Sequence, residues 1–356
     1  MKLSPKRWLS FVITVIGIAF ILGHQQHQKK RENMGRHFEI MKMKTICVGR
    51  FLIDVPEKAS LSYRGARLSG WDISSWLETD EKFLERISNE EIKLKSQKNE
   101  KGQVSLEQIH EIKGDHVHGR LFVSDRIWLE IFPYGVKEVS QAITIRAILR
   151  AHDVTFNLFA KIRSDNDVQE IEKIVTQLRR RLDDEIPEQP GFCFDRGFLT
   201  EPLDADQSEF TAVFLGLKEH PDLAIALSTY AGVAQDKSLL QRDAENDIKQ
   251  QYHSRFHVLR QGPRALNGLL GEEVLERVDE PNGSVLHGFM WELLAKKDDV
   301  YRPLLTLELD TGRGPPGRPV NASLSDPEVL ALWEKISGSL RVRPISGGDT
   351  HVGGHR

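Results

Sequence analysis

At 356 residues, 39% of them hydrophobic and 28% charged, the chain has a composition ordinary for a soluble protein. It is long enough for two domains that each bury a core without staples. Its 49 basic and 52 acidic residues nearly balance, which excludes a global nucleic-acid-binding signature. Residues 1–41 nevertheless carry seven Lys or Arg against two Glu, so the rest of the chain is mildly acidic.

The first element is a membrane-directed segment. Residues 8–23 contain no charged side chain and follow Lys2, Lys6 and Arg7. These 16 residues fall between a signal-peptide core of roughly 7–15 and a spanning helix of roughly 17–25. Ile21 stands where a cleavage site needs a small side chain, and no lipobox cysteine is near. An uncleaved anchor is therefore favoured over a cleaved export signal. The basic residues ahead of it place the N-terminus in the cytoplasm and the body in the periplasm, tethered to the inner membrane, although Lys29, Lys30 and Arg31 blur that rule. Residues 24–43 are polar without an apolar period and read as a tether. Translation beginning at Met41 or Met43 would remove anchor and tether together.

The first lobe opens at Thr45. Ile46, Val48, Phe51, Ile53 and Val55 make a β-rich stretch stopped by Pro56, with residues 59–63 as its expected hairpin partner. In residues 79–99, Phe83, Leu84, Ile87, Ile92 and Leu94 recur among charges in the pattern of an exposed amphipathic helix. Strands are expected over 105–112, 117–123, 127–132, 143–149 and 154–162, with turns at Gly114-Asp115 and Pro133-Tyr134-Gly135. A helix with Val168, Ile171, Ile174, Val175, Leu178 and Leu182 on one face closes the lobe. Asp165 is its expected N-cap, and Arg179 to Arg181 suit its C-terminal dipole.

Pro187, Pro190 and Gly191 mark a link, and the grammar then repeats. Strands are expected over 192–199, 210–217 and 223–230, a charged helix over 238–256, and strands over 273–278, 285–294 and 304–309. The closing helix has Asp326 as expected N-cap, Pro327 in its first turn and Glu328 completing a capping box on Ser325.

Motifs recur in the same order. Cys47, Arg50 and Pro56 are echoed by Cys193, Arg196 and Pro202, and His118-Gly119 by His287-Gly288. Ser164-Asp165 through Arg181 is echoed by Ser325-Asp326 through Arg343. Two long copies mean duplicated lobes, not a solenoid. The predicted fold is α+β, each lobe a mostly antiparallel sheet with packed helices. The expected division is 1–43 anchor and tether, 44–186 first lobe, 187–344 second lobe and 345–356 disordered tail.

Catalytic and metal signatures are missing. The chain has no Gly-x-Ser-x-Gly, Walker A loop, Gly-x-Gly-x-x-Gly, His-Glu-x-x-His or Cys-x-x-Cys. His110, His116 and His118 lack a carboxylate or cysteine at ligand spacing, and His351 and His355 sit among glycines, so neither set reads as a metal site and no cofactor is expected. Asp54 reads as a strand-end residue. Trp71, Asp72 and Trp76 occupy a loop-like region and are candidate partner-binding residues, since aromatic side chains dominate interface hot spots; Trp128 is a further aromatic of the same kind, outside that region. Cys47 and Cys193 hold corresponding positions, so they form an inter-lobe disulfide if the first strands lie side by side, or otherwise pack as two separate small core residues.

The opening Cys47-Val48-Gly49-Arg50-Phe51-Leu52-Ile53-Asp54-Val55-Pro56 resembles that of the two-domain immunity proteins cognate to type VI secretion lipase effectors. Gly191-Phe192-Cys193-Phe194-Asp195 with Gly197-Phe198 is similar to the opening of that family's C-terminal domain, although Arg196 departs from a small residue there. The likeness runs from about Thr45 to Arg343. It implies a periplasmic, non-enzymatic protein that clamps a phospholipase with two lobes, and marks Cys47, Gly49, Arg50, Pro56 and Cys193 as fold-defining. The rival readings are an envelope hydrolase and a membrane-tethered scaffold.

Overall fold

The computed structural model describes residues 41–200, 208–297 and 299–346. The membrane-directed segment, the tether through residue 40, Pro202, His351 and His355 lie outside the described residues. Among those described, no helix is long and apolar enough to cross a membrane.

In chain order the elements are β1 (Met43–Val48), β2 (Phe51–Pro56), β3 (Ser60–Leu68), β4 (Trp71–Leu77), α1 (Asp80–Ser96), β5 (Leu106–Lys113), β6 (His118–Ile131), β7 (Glu138–Ala151), β8 (Val154–Arg163), α2 (Asp167–Gln177) and β9 (Leu178–Arg180). The second half follows with β10 (Phe192–Phe194), β11 (Gly197–Leu199), β12 (Glu209–Leu217), β13 (His220–Ala231), α3 (Leu239–Ala244), α4 (Asp247–Gln251), β14 (Phe256–Leu266), β15 (Leu269–Asp279), β16 (Val285–Leu293), β17 (Leu304–Asp310), α5 (Asp326–Ser337) and β18 (Arg341–Val342).

One antiparallel sheet of 12 strands forms the frame, in the order β14-β15-β16-β17-β13-β12-β3-β4-β8-β7-β6-β5. Read outward from the β3-β12 seam, each half contributes its strands in the same sequence: first, second, sixth, fifth, fourth, third. The seam itself is antiparallel, with Val213 opposite Tyr63 and Phe214 opposite Ser62. The mostly antiparallel, helix-poor, two-domain architecture matches the strand and helix pattern of the sequence.

Each half is completed by the other. β2 of the first hairpin pairs with β18, and β11 of the second with β9, giving two three-stranded sheets in the orders β1-β2-β18 and β10-β11-β9. Ile46, Val48, Phe51, Ile53 and Val55 of the first hairpin are buried with Leu227, Trp291, Leu307, Leu332 and Trp333 of the second half. Conversely, Phe192, Phe194 and Leu199 are buried with Leu121, Ile145, Leu158 and Ile174 of the first. The two hairpins also meet directly: Gly49 N–H donates to the Cys193 carbonyl and Cys193 N–H to the Gly49 carbonyl, both at 2.8 Å. Cys47 and Cys193 are joined in a disulfide with a Cα–Cα distance of 5.9 Å, packed among Leu52 and Phe198.

Local signals decide the helix starts. Thr79 caps α1 by accepting from Lys82 N–H, Asp80 and Glu81 occupy its first turn, and Lys93 and Lys95 its last, so both ends oppose the helix dipole. Phe83, Ile87 and Leu94 face inward while Leu84 and Ile92 stay exposed. In α5 the capping box closes as predicted, Ser325 N–H donating to Glu328 at 2.8 Å, but the N-cap is Ser325. Asp326 is the first helical residue and instead faces His287 Nε2 at 3.0 Å.

Several expectations are corrected. Residues 59–63 do not pair back on the opening stretch, which is itself a hairpin turning at Gly49-Arg50; β3 crosses into the large sheet. Gly49 has φ +59, and a Cβ there would lie 2.7 Å from Thr229 Cγ2, so glycine is required at this turn. α2 is capped at Asn166, not Asp165, and ends at Gln177. Leu178 to Arg180 leave the helix because β11 offers them a strand partner. The 238–256 helix breaks into α3 and α4, with the Asn246 side chain accepting from Ile248 and Lys249 N–H at the restart. The segments 117–123 and 127–132 form one strand, bulged between Ser124 and Ile127. β14 carries no clear apolar alternation, so the sequence pattern does not announce it. The His118-Gly119 and His287-Gly288 echo falls on non-equivalent strands, the fourth of one half and the fifth of the other.

Candidate interaction surface

The large sheet has two unlike faces. Its back is covered: α2 with β10-β11 closes over the first half, and α5 with β1-β2 over the second, each filling a continuous apolar core. On the front, α1 covers only the outer strands of the first half, through Phe83, Ile87 and Leu94 against Phe122 and Ile148. α3 and α4 hold the outer strands of the second, through Arg242–Glu292 at 2.9 Å and Lys249–Glu276 at 2.6 Å. The middle strands between these helical flanks carry no covering element among the described residues.

Strand alternation populates this open floor. One row of directly opposed residues runs Arg146–Phe159–Asp72–Arg67–Phe210–Tyr230–Leu304 across six strand pairings. Ala212 and Ser228 lie in the next row and Phe214 and Ala226 in the one after, so small side chains keep much of the floor low. Phe210 and Tyr230 meet edge to face at 5.8 Å, and Arg64 lies over the Phe210 ring at 5.6 Å. Phe214 is about half exposed.

The floor is electrostatically divided. On the first half, Arg67 pairs with Asp72 at 2.8 Å, and Arg146 bonds Asn157 at 2.8 Å and reaches Glu90. Arg64 has no carboxylate partner among the described residues. The second half presents Glu308 and Asp310 on β17, with Asp310 paired to Arg313 at 2.7 Å; burial pushes the Glu308 carboxyl upward, Asp310 adds to it and Arg313 opposes it. Among the described residues, no group of three or more His, Cys, Asp or Glu side chains could hold a metal ion. A shallow surface hollow is lined by Lys58, Ser60, Gly216 and Leu223.

Comparison with known proteins supplies the family. Residues 44–184 match the N-terminal domain, and residues 185–345 the C-terminal domain, of Tle cognate immunity protein 4. The chain belongs to that immunity protein family. Among solved structures, the apo immunity protein TplEi of the T6SS from Pseudomonas aeruginosa matches with a TM-score of 0.72 at 27% identity, over 87% of this chain and 100% of that one. The Tle4-Tli4 complex matches with a TM-score of 0.70 at 27% identity, over 85% and 98%. TplEi complexed with "L" peptide gives 0.67 at 26% identity, over the same shares. No curated protein matches.

Within this immunity-family fold, the residues singled out in the sequence separate sharply. Cys47, Gly49, Arg50, Pro56 and Cys193 all lie on the back, in or beside the exchanged hairpins. Arg50 is buried and binds Glu209 at the start of β12, Nε to Oε2 at 3.0 Å. Asp54 accepts from Thr45 at 2.7 Å and from Arg341 at 3.2 Å, a structural role. Of the three candidate partner-binding residues, only Asp72 reaches the open floor. Trp71 is wholly buried, because β4 is an inner strand and its odd residues face the back core. Trp76 lies under α1 with the Arg86 guanidinium over its ring at 4.5 Å. His110 faces Glu172 at 3.1 Å and His118 packs edge-on against Phe83, so the histidines do not converge.

Sequence reasoning missed Glu209, Arg181 and Arg343. The last two occupy matching positions after β9 and β18 and are both buried. Arg181 donates to the Phe194 carbonyl at 3.1 Å, and Arg343 to the Gln189 and Gly191 carbonyls at 2.8 Å. The repeated Leu-Arg-x-Arg was their one signal, and it pointed to helix ends.

Proposed function

We propose that this chain is the antidote to a type VI secretion phospholipase or lipase effector, which it binds in the periplasm and silences by gripping it between two lobes, over its active site or against its opening. The observation that carries the reading is the match of both halves, in order and over residues 44–345, to the two domains of one immunity family. The solved Tle4-Tli4 complex supports a cognate effector as partner, and the TplEi structure with "L" peptide supports a surface that accepts a protein segment.

The physical argument concerns rigidity. Exchanged hairpins and a disulfide hold the lobes in one relative orientation, so little conformational freedom remains to be lost on binding. The open floor presents one charge without an ion-pair partner among the described residues on each side, Arg64 toward one lobe and Glu308 toward the other, which helps to orient an approaching partner. The protein then acts by stoichiometric binding, without turnover. The common strand order, matching hairpins and equivalent cysteines support an origin by internal duplication, with lobes at 44–186 and 187–344. Residues 8–23 tether the body to the inner membrane, with a cleaved signal as the alternative.

The test mixes the purified body with type VI secretion lipase effectors from the same organism, starting with any encoded next to it. A one-to-one complex and loss of lipase turnover are expected. If the two neither associate nor interfere, the reading fails.

A further inference from the structure

The β6-β7 hairpin leaves the sheet. β5 pairs with β6 only as far as Ser124, opposite Leu106, and β8 pairs with β7 only as far as Ile143, opposite Arg163. β6 and β7 continue together for five further rungs, from Ile127↔Ala142 to Ile131↔Glu138. At about 3.4 Å per residue, the two-stranded finger reaches about 15 Å past the ends of β5 and β8 before the turn, with Glu100 and Lys101 against Trp128 at its base.

Its tip is apolar and bare. Phe132-Pro133-Tyr134-Gly135-Val136 forms the turn, with Phe132 61%, Tyr134 106% and Val136 62% exposed. Water-facing aromatic rings at a loop tip contribute nothing to folding. Tyr134 also has φ 53 and ψ 27, a left-handed conformation that glycine or asparagine adopts more cheaply. Ile162, where β8 ends beside the finger, has φ 56 and is 65% exposed; for a β-branched residue this is a true outlier. Strain kept at exposed apolar positions points to a role outside folding.

The other half supplies an internal control. β15-β16 is the topological counterpart of β6-β7, and its turn is Glu280-Pro281-Asn282-Gly283-Ser284. That turn is polar, has Gly283 at φ 84 and is tied down by Asn282 donating to the Pro319 carbonyl at 3.1 Å. One position in the fold thus carries an ordinary hairpin turn in one lobe and a strained aromatic tip in the other.

We infer that the β6-β7 tip, led by Tyr134 and Phe132, is the apolar anchor that inserts into an apolar cleft of the cognate effector. The inference rests on the immunity reading above. Charge favours a protein cleft over a lipid surface. Arg126 is bound to Glu107 and Asp165, Lys137 to Glu130, and Lys101 lies over the Trp128 ring at 3.5 Å, so each of these cations at the finger is engaged within the protein, and none stands at the Phe132–Val136 tip itself to meet anionic headgroups. Buried aromatic anchors ringed by weaker contacts are the usual hot spots of such interfaces.

The experiment measures affinity of the full body for its cognate lipase by calorimetry, with thermal melting in parallel. Tyr134→Gly removes the ring while easing the left-handed backbone, so Tm should hold or rise as Kd weakens about 30-fold, equivalent to about 2 kcal/mol. Phe132→Asn with Tyr134→Asn should weaken Kd at least about 100-fold. Variants binding within about twofold of wild type overturn the inference and leave the immunity reading intact. A wild-type chain that does not bind the lipase overturns both. Tip-dependent binding to phosphatidylethanolamine–phosphatidylglycerol vesicles with unchanged lipase affinity assigns the tip to lipid and overturns it too.

Discussion

Replacing both cysteines, Cys47→Ala with Cys193→Ala, probes how the lobes are held together. The bridge spans 146 residues of sequence. The chain-entropy relation gives a loop of that length about 5 kcal/mol at 25 °C, nearly all of it acting on the unfolded state. Compactness of the denatured chain trims that figure. Removing two fully buried sulfurs beside Leu52 and Phe198 adds a packing loss. The expected result is a stability lower by about 3–5 kcal/mol, read from urea unfolding of the variant against the oxidised wild type at pH 7. Both cysteines are 0% exposed, so the native wild type should resist dithiothreitol and lose its bridge only once urea opens the hairpins. A difference below about 1 kcal/mol, or rapid reduction without denaturant, would refute the argument, because it would mean the hairpins do not close this long loop inside the core.

Three further outcomes are expected. Glu209→Gln leaves Arg50 buried without its carboxylate and should cost about 3–5 kcal/mol in urea unfolding, whereas the double change Arg50→Met with Glu209→Leu should recover part of it. At Glu78, burial works to raise the carboxyl, but hydrogen bonds and charge from Arg86 outweigh it and hold it at about 2, below its ordinary 4.5. Because the folded value is depressed, its stabilisation is present above about pH 4.5 and is lost as pH falls toward 2. The gap in urea midpoint between wild type and Glu78→Gln should therefore be wider at pH 6 than at pH 3, and an unchanged gap would contradict the assignment. Trp71→Ala should cost about 3–5 kcal/mol as a core deletion, while Trp71→Phe should bind the lipase normally; weakened binding at unchanged stability would mean that Trp71 reaches the partner after all.

Legibility in the sequence followed the range of the interactions. The Ser325–Glu328 box and the Thr79 start of α1 are built from residues three apart, and both could be read directly. The Arg179–Arg181 run is equally local in sequence, yet its conformation depends on β11, so reasoning from helix dipoles alone placed it wrongly. Trp71 failed for a related reason. A tryptophan between Gly70 and Asp72 has a loop-like neighbourhood, and only the pairing of β4 with β8 shows that its side chain enters the core. Of the finger, the sequence showed the 127–132 strand and the Pro-Tyr-Gly turn; the returning strand was expected only from Ile143, and the projection depends on where β5 and β8 stop.

By itself, the sequence determined that the chain is mostly antiparallel sheet with few helices in two domains, and that Cys47, Gly49 and Cys193 hold special places at the domain openings. These features depend on residue type, periodicity and turn chemistry over short spans. Only the tertiary structure decided that each opening hairpin is built into the opposite lobe, that the two halves share a single sheet, and which face of it is left open. Those outcomes arise from strand pairing and apolar burial between residues up to about 290 positions apart, as where Arg341 lies opposite Leu52, and no local pattern encodes which partner such a strand will find.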